Sequence, residues 1–368
     1  MCAKVCVFMK KVSIKDVAKE AGVSPTTVSY ILNNNKNVSI TPETRERVMA
    51  AADKLKYVPS QAAKTLGSSR VMGRTQSKMI GVVIPQTEDN TDDAYIMLSN
   101  PFYSTFLSAV EHEMRRANYH VLVTGTNRGQ SYIEVVKSRA LDGVIIIGIY
   151  PSEDVEEYRR FNIPTVLVDC YGSEGGEFFS IRTDDRLGGY MATRHLLEMG
   201  HRDIAFVSGE IKEDGVNYMR FQGYRDALAE YGLQSSDELV FGGYVGFDYG
   251  AEAAEAIAET NKRRQRKISA AFATSDITAI GLIKGFSEIG LSVPGDVSVI
   301  GFDDIDYAGM CVPGLTTVRQ NIIEKGHEAA RLMIEALSGR KAASETIIPM
   351  QLVERESVKR LTEDMEGV

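Results

Sequence analysis

The chain has 368 residues, 43% hydrophobic and 25% charged, the composition of a soluble globular protein of two or three domains. No stretch approaches the roughly 20 uninterrupted apolar residues of a membrane helix. There is no signal peptide, and the four cysteines, Cys2, Cys6, Cys170 and Cys311, are scattered, which excludes a disulfide scaffold and a paired-cysteine zinc site and points to a reducing cytoplasm. The net charge of -8 is unevenly divided: residues 1–78 hold 14 Lys and Arg against 5 Asp and Glu, whereas residues 79–368 hold 28 against 45. A basic head suited to a polyanion is therefore joined to an acidic body.

Residues 1–11 read as a disordered extension, with Met9-Lys10-Lys11 as a second natural start. From Ser13 the text is SIKDVAKEAGVSPTTVSYILN. Ser13 and Asp16 predict a capped helix over 14–21 that Gly22 ends in a left-handed turn. Ser24 caps a second helix with Pro25 at its first position. Val28, Ile31 and Leu32 face inward there, and Pro25, Thr26, Ser29 and Tyr30 face out. Two short helices across a tight turn describe a helix-turn-helix. Thr41-Pro42-Glu43 opens a third helix running to about residue 55, which closes a small core and completes a DNA-binding domain over 12–58. Residues 59–77 then form a short hinge helix bearing Leu66 and a polar, basic, glycine-containing linker.

Beyond Lys78, strand-length apolar runs at 80–84, 121–123, 143–147, 165–168, 204–207, 270–273 and 297–300 alternate with helix-length amphipathic segments. These segments fall at about 104–117, 130–140, 186–199, 218–231, 248–260, 276–289 and 321–337. The alternation predicts an α/β body with parallel sheet covered on both faces. Its length and a break near 184–186 divide it into two lobes, one of 78–184 and 318–345, the other of 185–317 and 346–357, followed by a tail over 358–368. A ligand belongs at the strand ends, in the cleft between lobes. Phe102, Tyr103, Asp169, Ser275, Asp276 and Asp303 follow such strands and suit a polyhydroxylated small molecule. Asp276, Asp169 and Asp303 also read as helix N-caps. The basic run at 262–267 reads as a solvated loop, with a second nucleic-acid contact behind it. No catalytic pair, phosphate loop or metal motif occurs in the text.

With its parts in order, the chain resembles the lactose-repressor / galactose-repressor family of bacterial transcription regulators over about residues 12–357. The resemblance rests on SIKDVAKEAGVSPTTVSYILN, TPETRERV, YVPSQAAKTL, SNPFYSTFLSAVE, DDRLGGYMATRHLLEMGHRDIAFVSG, RFQGYRDAL, VSVIGFDDID, LTTVRQ and LVERES. It implies a non-enzymatic cytoplasmic homodimer that binds palindromic double-stranded operator DNA, uses no cofactor or metal, and answers to a small-molecule effector. Ser24, Pro25, Thr26, Thr27, Ser29, Tyr30 and Asn33 of the head would meet DNA, with Ala63 and Leu66 of the hinge in the minor groove. Phe102, Tyr103, Asp169, Arg220, Ser275, Asp276 and Asp303 would hold the ligand. The leading expectation is a repressor of carbohydrate genes answering to a sugar. The alternatives are a purine or phosphorylated metabolite acting as corepressor, and a sugar-binding protein without DNA. Three departures stand out: Tyr30 where arginine is frequent, a longer acidic loop at 85–100, and Asn321 where proline is usual.

Overall fold

Each helix of the head begins where its sequence supplies an acceptor for free N–H groups. The Ser13 N–H and hydroxyl both donate to Asp16 Oδ2, at 2.8 and 2.6 Å, and start α1 (Ile14–Ala21), which ends at Gly22 with φ 66°. Ser24 Oγ accepts from the Thr27 N–H at 3.1 Å over the first turn of α2 (Pro25–Leu32), and Thr41 does the same for α3 (Pro42–Lys54). Val17, Ala18, Ala21, Val28, Ile31, Val48, Ala51 and Ala52 form the core between them. The computed structural model describes residues 12–32, 38–57, 77–84, 100–125, 134, 136, 139–148, 160, 162–171, 178–213, 215–340 and 345–361. The extension at 1–11, Asn33, the hinge with Ala63 and Leu66, and the acidic loop at 86–99 lie outside them, as does nearly all of the helix expected at 130–140.

The chain divides into two compact units, Met1–Ser77 and Lys78–Val368. The second contains β1 (Met79–Ile84), α4 (Pro101–Arg116), β2 (His120–Gly125), β3 (Gly143–Ile147), β4 (Thr165–Val168) and β5 (Phe179–Thr183). It continues with α5 (Asp185–Glu198), β6 (Ile204–Gly209), α6 (Val216–Glu230), β7 (Val240–Gly243), α7 (Phe247–Arg263), β8 (Ala270–Ala273) and α8 (Asp276–Glu288). It closes with β9 (Ser298–Asp303), α9 (Asp306–Met310), β10 (Thr316–Arg319), α10 (Ile322–Leu337), β11 (Glu345–Ile348) and β12 (Gln351–Val353).

The strands form two six-stranded sheets, in the orders β11-β5-β4-β3-β1-β2 and β12-β10-β9-β8-β6-β7. All neighbours are parallel except β10 and β12. Each order reverses once, at β1 and at β6, so each lobe has a topological switch point at its strand C-terminal ends.

The chain passes between sheets after Thr183, after Arg319 and after Ile348. The first crossing falls between Thr183 of β5 and Asp185 of α5. The later two lie beyond the boundaries read from sequence, because Thr316–Arg319 pairs with β9 and Thr346–Ile348 pairs with β5. The expected tail begins inside the second lobe: the Leu361 N–H donates to the Met199 carbonyl at 2.8 Å, and His201 meets the Lys359 carbonyl at 3.1 Å. Helices α5 and α6 touch backbone to backbone through glycine. A Cβ on Gly223 would lie 1.9 Å from the Arg186 oxygen, and one on Gly189 would lie 2.1 Å from the Arg220 oxygen. That close seam holds Arg220 against Asp185.

Candidate functional site

In the head, Pro25 and Thr26 are exposed at the tip of α2, Ser29 and Tyr30 are half-buried, and Ser24 is exposed. Thr27 meets Ser24 through its hydroxyl at 2.9 Å, so it supports the start of the helix. The outer side of α2 is small and polar, as expected of an element read against base edges. Lys54 meets Glu20 at 2.6 Å and links α3 to α1 on the surface.

In the body, the ends of β4, α5, α6 and β9 bring Asp169, Asp185, Arg220 and Asp303 together. Burial pushes the Tyr103 phenol up to about 12, and the nearby Asp169 and Asp303 carboxylates add to the effect while Arg220 opposes it. Tyr103 from the first lobe thus shares one electrostatic environment with Arg220 and Asp303 from the second. Phe102 is buried edge-on to Tyr103, with ring centres 5.2 Å apart. Ile305, just beyond β9 of the second lobe, packs into the first lobe's apolar cluster beside these rings.

Arg220 spends three of its five N–H donors within the protein. Its Nε and Nη2 donate to Asp185 Oδ1 at 2.8 and 2.7 Å, and its Nη1 donates to the Thr274 carbonyl at 2.6 Å. The guanidinium lies 3.7 Å from the centre of the Phe302 ring. Burial pulls its pKa down, but Asp185 and Asp303 more than offset this and raise it. Asp185 Oδ2 accepts from Tyr171 of the first lobe at 2.7 Å, a bond across the first crossing.

Asp169 meets the fully buried Lys325 through both oxygens, at 2.7 and 2.9 Å. Burial raises its pKa, with Lys325 pulling the other way. Asp303 accepts from the Gln320 amide at 2.5 Å, and burial pushes its pKa up to about 6 against the pull of Arg220. Both backbones have positive φ, 55° at Asp169 and 123° at Asp303. This costs of order 1–3 kcal/mol each and persists where surrounding bonds impose it.

Three expectations are corrected here. Asp276 is not the cap of α8: Ser275 is, and its oxygen accepts from the Thr278 N–H. Asp276 is wholly buried, accepting from the Ile305 N–H at 2.9 Å and the Thr317 hydroxyl at 2.5 Å, and burial raises its pKa well above the carboxylate range. It braces the loop after β9. Nor do Asp169 and Asp303 cap helices: Asp169 directly follows β4 and Asp303 is the last residue of β9. The basic run is largely exposed, as read from the sequence, and two of its arginines are paired with acids: Arg264 meets Asp203 and Glu238, and Arg266 meets Asp203 at 2.9 Å. Asn321 caps α10 at φ 44°, a conformation closed to proline, so the backbone itself differs at this departure. Lys325, Gln320, Asp185 and Tyr171 are the site residues that sequence reasoning missed. Among the described residues no cluster of His, Cys, Asp and Glu could hold a metal, and no helix is long and apolar enough to cross a membrane.

A family model of bacterial regulatory proteins of the lacI family matches residues 13–60, and a periplasmic binding protein-like domain matches residues 193–358. The HTH-type transcriptional repressor PurR of Vibrio campbellii is 33% identical over 357 residues, covering 95% of this chain and 99% of that protein. The chain belongs to the lacI family of bacterial regulatory proteins.

Two solved structures share the architecture at higher identity than fold alone requires. A transcriptional regulator CelR–cellobiose complex is 26% identical with a TM-score of 0.65, over 94% of this chain and 99% of that one. A LacI family transcriptional regulator from Enterococcus faecium with bound ribose is 28% identical with a TM-score of 0.66, over 77% and 100%. As a lacI-family member the chain is a DNA-binding transcription regulator and not an enzyme. Its DNA binding is modulated allosterically by a small ligand.

Proposed function

We propose that the chain is a repressor that binds a palindromic operator as a homodimer through Ser24, Pro25, Thr26, Ser29 and Tyr30, and that an uncharged small molecule in the interlobe cleft switches that affinity. Asn33, Ala63 and Leu66 complete the DNA-facing set by their place in the motifs. The observation that carries the ligand class is the engagement of Arg220. Its Nε–Nη2 edge is turned onto Asp185 and a third donor onto the Thr274 carbonyl, so three of its five N–H donors and its charge are already met inside the protein, which favours an uncharged ligand over a phosphate or carboxylate. Phe102, Tyr103, Asp169 and Asp303 then offer ring faces and hydrogen-bond acceptors to a neutral ligand, with Ser275 and Asp276 supporting from behind.

Two neutral classes fit this chemistry. The full-length relatives named PurR, 33% identical in the Vibrio campbellii case, favour a purine base, which the sequence alone placed second. The cellobiose and ribose complexes, at 26% and 28%, favour a sugar. The identities put the purine base first. Calorimetric titration with purine bases, mono- and disaccharides and their phosphates, followed by operator binding with each hit, tests the reading. Binding of a phosphorylated compound alone would overturn the neutral-ligand assignment.

A further inference from the structure

Lys325 stands on the buried face of α10, among Ile322, Ala329 and Met333, a setting that ordinarily takes an apolar side chain. Burying an ammonium is costly unless its donors are satisfied, and here all its contacts lead to the cleft. Two bonds reach Asp169, one reaches the Gln320 carbonyl oxygen, and the Phe102 ring centre is 5.7 Å away. Accepting from Lys325 fixes which way the Gln320 amide points. Its NH2 group is thereby aimed at Asp303; the flipped amide would set NH2 against the ammonium and oxygen against a carboxylate.

We propose that Lys325 is a positioning residue for effector binding: with Gln320 it ties the cleft-facing Asp169 of the first lobe to Asp303 of the second and sets their spacing before ligand arrives. The inference rests on the cleft being the effector site. Lys325 and Asp169 belong to the first lobe, Asp303 to the second, and Gln320 to the crossing that joins them. The relay therefore passes through the segment that must move if the lobes change their relative orientation. It also restrains both positive-φ aspartates, whose backbones would otherwise relax.

Hydrogen-exchange mass spectrometry on the full chain tests the relay without any ligand. Lys325→Met removes the ammonium at similar volume; Gln320→Glu keeps the bond to Lys325 but replaces the donor facing Asp303 with an acceptor. Both variants should speed exchange by about tenfold or more at residues 301–305, while the interior strand at 204–207 keeps its protection. Neutralising both charges, in the pair Asp169→Asn with Lys325→Met, should restore thermal stability yet leave 301–305 fast. A merely structural Lys325 predicts that Lys325→Met changes exchange in the first lobe only and leaves 301–305 as in wild type, and that result overturns the proposal. Should Lys325→Met fail to fold, the pair Asp169→Asn with Lys325→Met, which buries no unpaired charge, decides at 301–305: fast exchange supports the relay and wild-type protection overturns it. Titration with adenine, ribose and cellobiose adds a second readout: any that binds wild type should bind both variants about tenfold more weakly, and equal affinity overturns the proposal. Wild-type silence towards all neutral probes would sink the effector reading while the exchange result still judges the relay.

Discussion

Replacing Arg220 with Met separates the cost of an unpaired buried charge from that of lost packing. The Arg220 side chain is 8% exposed and that of Asp185 is 0%, so solvent cannot take over for either partner. The variant removes both bonds to Asp185 Oδ1, the bond to the Thr274 carbonyl and the cation over Phe302. Asp185 keeps only the Tyr171 hydroxyl, at 2.7 Å on its other oxygen. Stranding one member of a buried pair costs about 3–5 kcal/mol, a large share of a typical stability of 5–15 kcal/mol. The pair Asp185→Asn with Arg220→Met removes both charges and should recover about 1–3 kcal/mol of that loss. Urea unfolding of the full chain, followed by far-ultraviolet circular dichroism because the chain has no tryptophan, measures the cycle. A cost below about 1 kcal/mol for Arg220→Met, or strict additivity in the double variant, would refute the view that this pair is a desolvated, mutually dependent unit.

Gly223→Ala forces a methyl group to within 1.9 Å of the Arg186 oxygen and 2.5 Å of the Tyr190 nitrogen. It should cost roughly 1–3 kcal/mol or more, read as a lower thermal midpoint; a neutral result would mean that the α5–α6 seam can open freely. Burial lowers the His201 pKa to about 4, so the fold prefers the neutral ring, and its contribution is fully present above 6.5 and lost as pH falls towards 4. The loss is up to roughly 3 kcal/mol. The raised Asp303 acts in the opposite sense, contributing below the ordinary carboxylate range and losing that contribution as pH rises through about 6, so the comparison must be between His201→Gln and wild type. The variant should lose less stability between pH 6.5 and 4.5, and identical slopes would contradict the assignment. Tyr30→Arg should change base preference at one symmetric position in each half-site, because a phenol lacks the paired donors that arginine gives to guanine. Selection from a random duplex library checks this, and unchanged preferences would place Tyr30 off the bases.

The strands visible in the sequence are buried on both faces, apart from the half-exposed edge His120–Gly125. Gly143–Ile147 and Thr165–Val168 are wholly buried, and their short, β-branched runs read as buried strands by length and composition. The strands that escaped notice lie at or beside sheet edges. Phe179–Thr183 alternates Ser180 and Arg182 outward, Val240–Gly243 ends in glycine on an edge, and Glu345–Ile348 and Gln351–Val353 are three- or four-residue edges. Short half-solvated segments carry too little periodicity to stand apart from loops. The site residues named in advance came from motifs at strand ends, and the partners that hold them did not. Lys325 was the one with a signal in the text: it occupies an apolar-face register of a strongly amphipathic helix, three residues from Ile322 and four from Ala329. A buried cation there has to find an acid, and only the three-dimensional structure shows that the acid is Asp169.

The central claim is that the basic head binds operator DNA and the body switches it. Fluorescence anisotropy of a palindromic fragment from the chain's own upstream DNA tests this most directly, using the full chain and residues 78–368 across a salt series, with and without each compound that binds in calorimetry. The account predicts tight binding by the full chain that weakens steeply with salt, no binding by the body alone, and an affinity shift with one neutral compound. Undiminished binding by residues 78–368, or an operator affinity indifferent to every compound that occupies the cleft, would contradict it.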